Sequence, residues 1–128
     1  MGPLFLCDDG RPSQAAPRCV HRGLGLEAQA FVDPRHLELD GPPVKAHEEA
    51  LRGITARALH GPFGDLAPGS FDPLVRDLAR WRFEQGLGIA RRLGATHLIL
   101  HHGYVPGTSD PARWLERSTA FWTAFLTG

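Results

Sequence analysis

Apolar and polar positions fall along this chain in short blocks whose period changes from block to block. Pro3 to Cys7 is a compact apolar run closed at once by Asp8-Asp9-Gly10, the pattern of a buried strand entering a turn. Residues 13–22 admit a short helix, provided that Pro17 sits in its first turn, because proline has no amide hydrogen to offer a helix interior. From Leu24 to Phe31 the chain alternates, with Leu24, Leu26, Ala28 and Ala30 on one side and Gly25, Glu27, Gln29 and Phe31 on the other, which is the period of a strand. Asp33-Pro34 offers a helix start that Gly41-Pro42-Pro43 breaks. Val44 to Arg52 reads as helix up to Gly53, and Ile54 to His60 as a further strand.

The clearest helix begins at Asp72-Pro73, a capping acceptor followed by proline at the first helical position. Val75, Ala79, Phe83, Gly86, Leu87, Ala90 and Leu93 then recur at helical spacing until Gly94. Gly86 falls on the apolar face, where a missing side chain permits close approach of a sheet. Thr96 to Leu100 is a near-continuous apolar run, as expected of a parallel strand covered by helices on both faces. Asp110-Pro111 repeats the cap-plus-proline start, and Trp114, Leu115, Ser118, Trp122 and Phe125 make one face of a last helix. Strand and helix thus alternate about four times, with connections too long for hairpins. The pattern predicts a single parallel α/β domain over residues 1–128.

Composition narrows the functional classes. Fourteen basic and fourteen acidic side chains cancel, so no long-range field draws in a nucleic acid or an anionic membrane. No segment approaches the ~18 consecutive apolar residues of a membrane span, and residues 1–10 lack the basic start and long apolar core of a signal peptide, so a soluble cytoplasmic protein is expected. Cys7 and Cys19 have neither metal-site nor redox-motif spacing and read as small buried hydrophobes. Phosphate-binding glycine loops and nucleophile elbows do not occur.

Ligands of parallel α/β proteins bind at the carboxyl ends of the strands, so the residues just past each apolar run are the ones to inspect. His60 and His101 both stand there, each followed by a chain-turning segment, Gly61-Pro62-Phe63 and, past His102, Gly103-Tyr104. A neutral imidazole in that place ligates a metal or shuttles a proton; the plainer alternative is a ring bonded to a loop carbonyl. Glu27 lies in mid-strand on one face with Gln29, where a carboxylate needs a partner or a wet cavity. An internal hydrogen bond to a neighbouring strand and a catalytic role are both open for it. His97 reads as structural or exposed, and Asp65, Asp72, Asp77 and Asp110 as turn and cap residues.

Leu59-His60-Gly61-Pro62-Phe63 with Asp65 to Ser70 resembles the third-strand end and following loop of xylose-isomerase-like TIM barrels. Gly94-Ala95-Thr96 and Leu98-Ile99-Leu100-His101 look like that family's fourth strand, and Arg22 to Glu27 its second, so the likeness runs from about Arg22 to Tyr104. The resemblance implies the N-terminal half of such a barrel, about four of eight βα units. It implies a divalent metal, Zn²⁺, Mn²⁺ or Mg²⁺, supporting proton-transfer isomerisation or epimerisation of a sugar, sugar phosphate or other small hydroxy-carbonyl compound. His60 and His101 match histidines that bind metal in the endonuclease relatives and line the pocket in the epimerases, with His102 an alternative to His101 in register; Glu27 joins them as a candidate catalytic residue.

A full barrel takes eight units and ~250 residues. The carboxylate ligands of the later strands lie outside these 128 residues, so this half is expected to be inactive alone, its open sheet edges inviting a homodimer. Two other functions fit the same residues: an abasic-site endonuclease-like phosphodiesterase, opposed by the zero net charge, and a non-catalytic interaction domain that kept the fold and lost the chemistry.

Overall fold

The computed structural model describes residues 2–107 and 110–128. Strands β1 (Phe5–Cys7), β2 (Gly25–Ala28), β3 (Arg57–His60) and β4 (His97–Ile99) alternate with helices α1 (Pro12–Arg22), α2 (Pro42–Ala50), α3 (Pro73–Arg92) and α4 (Pro111–Thr127). The strands form one sheet in the order β1-β2-β3-β4, every neighbouring pair parallel. This is the parallel α/β arrangement that the sequence pattern predicts, with the four βα units that the family resemblance implies. No helix of the described residues is long and apolar enough to cross a membrane.

Local chemistry explains most of the boundaries. The Asp72 side chain accepts from the Leu74 amide at 2.9 Å and Asp110 from the Arg113 amide at 3.0 Å, each with proline next in line, so α3 and α4 start where a free amide needs a partner and proline costs nothing. The same logic corrects two expectations. α1 starts at Pro12 and carries Pro17 in its interior rather than its first turn; the bond it forgoes would run to Ser13, an exposed residue that water can satisfy. Pro42 and Pro43 open α2 instead of breaking a helix. β2 is shorter than its alternation suggests, because the chain leaves the sheet into two 3-10 turns, Ala30–Val32 and Pro34–His36, and swings Phe31 into the core.

The main core lies between the outer face of the sheet and the helices, built from Cys19, Leu26, Phe31, Val44, Leu59 and Ile89. Gly86 allows the close approach expected of it, though to the loop after β3: a Cβ there would lie 3.0 Å from Pro62 Cδ. A second cluster joins Leu66, Ala79, Phe83 and Phe121 beneath α4. On α4 the packed face includes Phe121, while Leu115 is 61% exposed and lies off it. β4 is not covered on both faces either. His97 is exposed and Leu98 and Ile99 are only half-buried, because among the described residues β3 is β4's one strand neighbour.

On the inner face the Phe5 ring of β1 lies over Gly25, whose added Cβ would meet it at 2.6 Å, and edge-on to His97 of β4 at 5.6 Å. First and fourth strands touch across the two between them, so the sheet is curled into an arc, as part of a barrel wall must be. Of the two cysteines only Cys19 is buried, its thiol 3.4 Å from the Gly25 carbonyl; Cys7 is exposed, pointing to the open inner face.

Candidate functional site

Parallel register sets the site. Cys7 pairs with Glu27 and His60 with Ile99, which brings the β1, β2 and β3 ends level along the rim of the sheet, with His101 two residues beyond the end of β4. There the three candidate residues meet. Glu27 Oε1 is 3.0 Å from His60 Nδ1, and His60 Nε2 is 2.8 Å from His101 Nε2. A carboxylate can only accept, so Nδ1 of His60 carries the proton toward Glu27, and a neutral His60 then presents the lone pair of Nε2 to a donating His101. Two imidazole Nε2 atoms therefore face one point, one ring being anchored from behind by a carboxylate.

Phe63, 39% exposed, closes one side of this point: its ring stacks on His101 with centroids 4.4 Å apart and lies 5.5 Å from that of His60. His102 turns away, its Nδ1 accepting from the Tyr104 amide at 3.2 Å and its ring edge-on to Trp114 at 5.3 Å. The inward histidine of the pair is thus His101. Gln29, on Glu27's face as expected, bridges two neighbours with its amide, 3.3 Å from Cys7 Sγ and 3.4 Å from Glu27 Oε1. Loss of solvent on its strand side, and then the Glu27 carboxylate, push the Cys7 thiol above its ordinary value, so it stays protonated beside the site.

A second histidine–carboxylate pair lies outside the sequence expectations. Asp8, a turn residue by its sequence, is 2.7 Å from Nε2 of His47 on α2, and the two side chains are 0% and 1% exposed. Asp8 Oδ1 also accepts from the Gln29 amide at 2.9 Å and the Gly10 amide at 2.8 Å, while His47 Nδ1 sits 2.7 Å from the Pro43 carbonyl. Burial pushes the Asp8 carboxyl up, but the bonds from His47, Gln29 and Gly10 outweigh it and hold the group below its ordinary value. Thirty-nine residues separate the partners, so no local spacing announces them.

Imidazole nitrogen backed by carboxylate is the donor chemistry of zinc and similar cations, and a ligating histidine commonly gives its other N–H to a carboxylate as His60 does to Glu27. The described residues supply this pair alone: no group of three or more His, Cys, Asp and Glu side chains among them is placed to hold a metal ion. The two imidazoles fit the donor chemistry of such a cation, and among the described residues no third donor joins them.

No protein-family model matches the chain, and no curated protein does. Solved structures do match. The TTHB071 protein of Thermus thermophilus, soaked with ZnCl2, is 32% identical with a TM-score of 0.70 over 95% of this chain and 47% of its own. A D-tagatose 3-epimerase-like protein is 18% identical with a TM-score of 0.74 over 98% of this chain and 48% of its own. Endonuclease IV from Thermus thermophilus is 18% identical with a TM-score of 0.54, over 96% and 46%. The chain spans about half the length of each of these relatives.

Proposed function

The chain is a member of the xylose-isomerase-like TIM-barrel superfamily, and from that premise we propose that it carries part of a metal-dependent site for proton transfer on a small hydroxy-carbonyl substrate, a sugar or sugar phosphate. The observation that supports this most is the line Glu27–His60–His101 at the carboxyl rim of the sheet. A bound divalent cation, Zn²⁺, Mn²⁺ or Mg²⁺, would supply polarisation of the substrate's oxygens. His60 and His101 would hold it, His101 first giving up the proton that its Nε2 donates to His60. Glu27 fixes the His60 tautomer through the Nδ1 proton and takes up or returns a proton at its carboxylate, within reach of His60. Phe63, stacked on His101, gives the site an apolar wall that suits the carbon face of a sugar.

An endonuclease-like reading uses the same two histidines. It is the weaker fit, because fourteen basic and fourteen acidic side chains leave no net charge to hold a phosphate backbone. A purely interaction role leaves the carboxylate-anchored imidazole pair without an explanation.

The test is solvent exchange. The chain is incubated in D2O with each of the three metals and a panel of ketoses, over a range of protein concentration, and deuterium at the carbon beside the carbonyl is read by NMR. Metal-dependent incorporation that disappears in Glu27→Gln is expected. No incorporation above the protein-free blank, together with no zinc binding that His60→Ala or His101→Ala weakens, contradicts the reading.

A further inference from the structure

The bond between Glu27 and His60 decides more than the place of one ring. A neutral imidazole keeps its proton on Nδ1 where an acceptor holds that nitrogen, and otherwise favours Nε2. His60 Nε2 faces His101 at 2.8 Å, so its lone pair is open only while Glu27 Oε1 stays at its 3.0 Å from Nδ1. The Glu27 side chain is 19% exposed, and a carboxylate in reach of water turns freely about its last bond unless a second group steadies it.

Gln29 stands where such a group is needed. It is the first residue past β2, two positions from Glu27 and therefore on the same face. Its backbone is tied at both ends: the amide donates to the buried Asp8 carboxylate at 2.9 Å, and the carbonyl accepts from the Val32 amide at 3.3 Å. The half-buried side chain then reaches two neighbours, its Nε2 lying 3.4 Å from Glu27 Oε1 and 3.3 Å from Sγ of Cys7, which is level with Glu27 on β1. A carboxylate can only accept, so the nitrogen end of the amide faces it, one hydrogen for each acceptor. The oxygen that Gln29 steadies is the same Oε1 that holds His60.

We propose that Gln29 is a positioning residue: its side-chain amide, steadied on Cys7, keeps Glu27 Oε1 turned to His60 and so keeps the His60 lone pair open at Nε2. Gln29 acts here through Glu27 and holds neither metal nor substrate. The control of the tautomer stands on these bonds alone; its bearing on proton transfer rests on the reading above.

Imidazole ¹⁵N spectra of the full chain, recorded without metal or substrate at a pH where histidine is neutral, give the share of each His60 tautomer. Wild type is expected to hold His60 as Nδ1–H. Gln29→Met keeps the reach of the side chain and removes the donor; Gln29→Asn keeps the amide and shortens its reach. Each is expected to raise the ratio of Nε2–H to Nδ1–H at His60 roughly three- to tenfold, the weight of one hydrogen bond, with the His47 signals and the far-UV circular dichroism unchanged. In the D2O exchange assay the same variants should lower the rate at saturating ketose by a similar factor and leave the half-saturating ketose concentration as it was, because the amide acts through Glu27. An unchanged His60 ratio in both variants, or a change that carries the His47 signals with it, overturns the positioning role. A changed ratio in a chain that shows no exchange upholds that role, and only the proton-transfer reading is then in question.

Discussion

Two histidine–carboxylate pairs of nearly the same length sit a short way apart in this protein, and they do opposite things. His47 and Asp8, 2.7 Å apart, are sealed from water, and every polar atom of both has a protein partner, so the pair ties the β1 end to β2 and α2 and has nothing left to offer a ligand. His60 and Glu27, 3.0 Å apart, keep side-chain exposures of 16% and 19%, and the remaining ring nitrogen of His60 points at a second histidine instead of a carbonyl. The chemical groups are the same. What separates scaffold from site is where the second ring nitrogen goes, into the protein's own backbone or toward a shared open point.

Substitutions should pull the pairs apart. Asp8→Ala strands a buried imidazole and is expected to cost about 3–5 kcal/mol of unfolding free energy, measured by urea denaturation, with metal affinity per folded molecule unchanged. pH acts in the same direction. The folded Asp8 carboxyl lies below its ordinary 3.8, so its contribution is complete above that pH and is lost as pH falls through the lower folded value; in Asp8→Asn the acid limb of the stability profile should flatten. Glu27→Gln is expected to do the reverse of Asp8→Ala, weakening zinc binding by about 10–100-fold in calorimetric titration while leaving stability little changed. The smallest effect belongs to Phe63→Ala, within about 0.5 kcal/mol of wild-type stability because the ring is part-exposed, its consequence appearing instead as a shift of the His101 ring resonances in NMR when the stacked neighbour is lost.

Much of the fold was legible because its signals are local. Asp72-Pro73 and Asp110-Pro111 mark helix starts through bonds made within three residues, and the alternation around Glu27 marks a strand through its own pleat. The meeting of His60 and His101 followed from a rule about strand ends, since parallel register levels residues that the chain keeps far apart; Glu27, mid-strand by its alternation, joins them because β2 ends one residue later at Ala28. What was missed depends on tertiary surroundings. The half-exposed β4 has a sequence fit for double cover but among the described residues has a strand on one side alone, Cys7 is apolar by type yet faces the open side, and Pro17 is tolerated in α1 where water replaces a bond. Asp8 and His47 meet because α2 folds back over the β1 end, which no periodicity in either segment expresses.

The measurement that bears most directly on the division between the two pairs is a zinc titration followed by NMR of the ¹⁵N-labelled imidazoles. Nε2 of His60 and of His101 are expected to shift together and saturate at the same zinc concentration while both His47 nitrogens stay in place. Movement of His47, or zinc-insensitive His60 and His101 signals, would contradict that division.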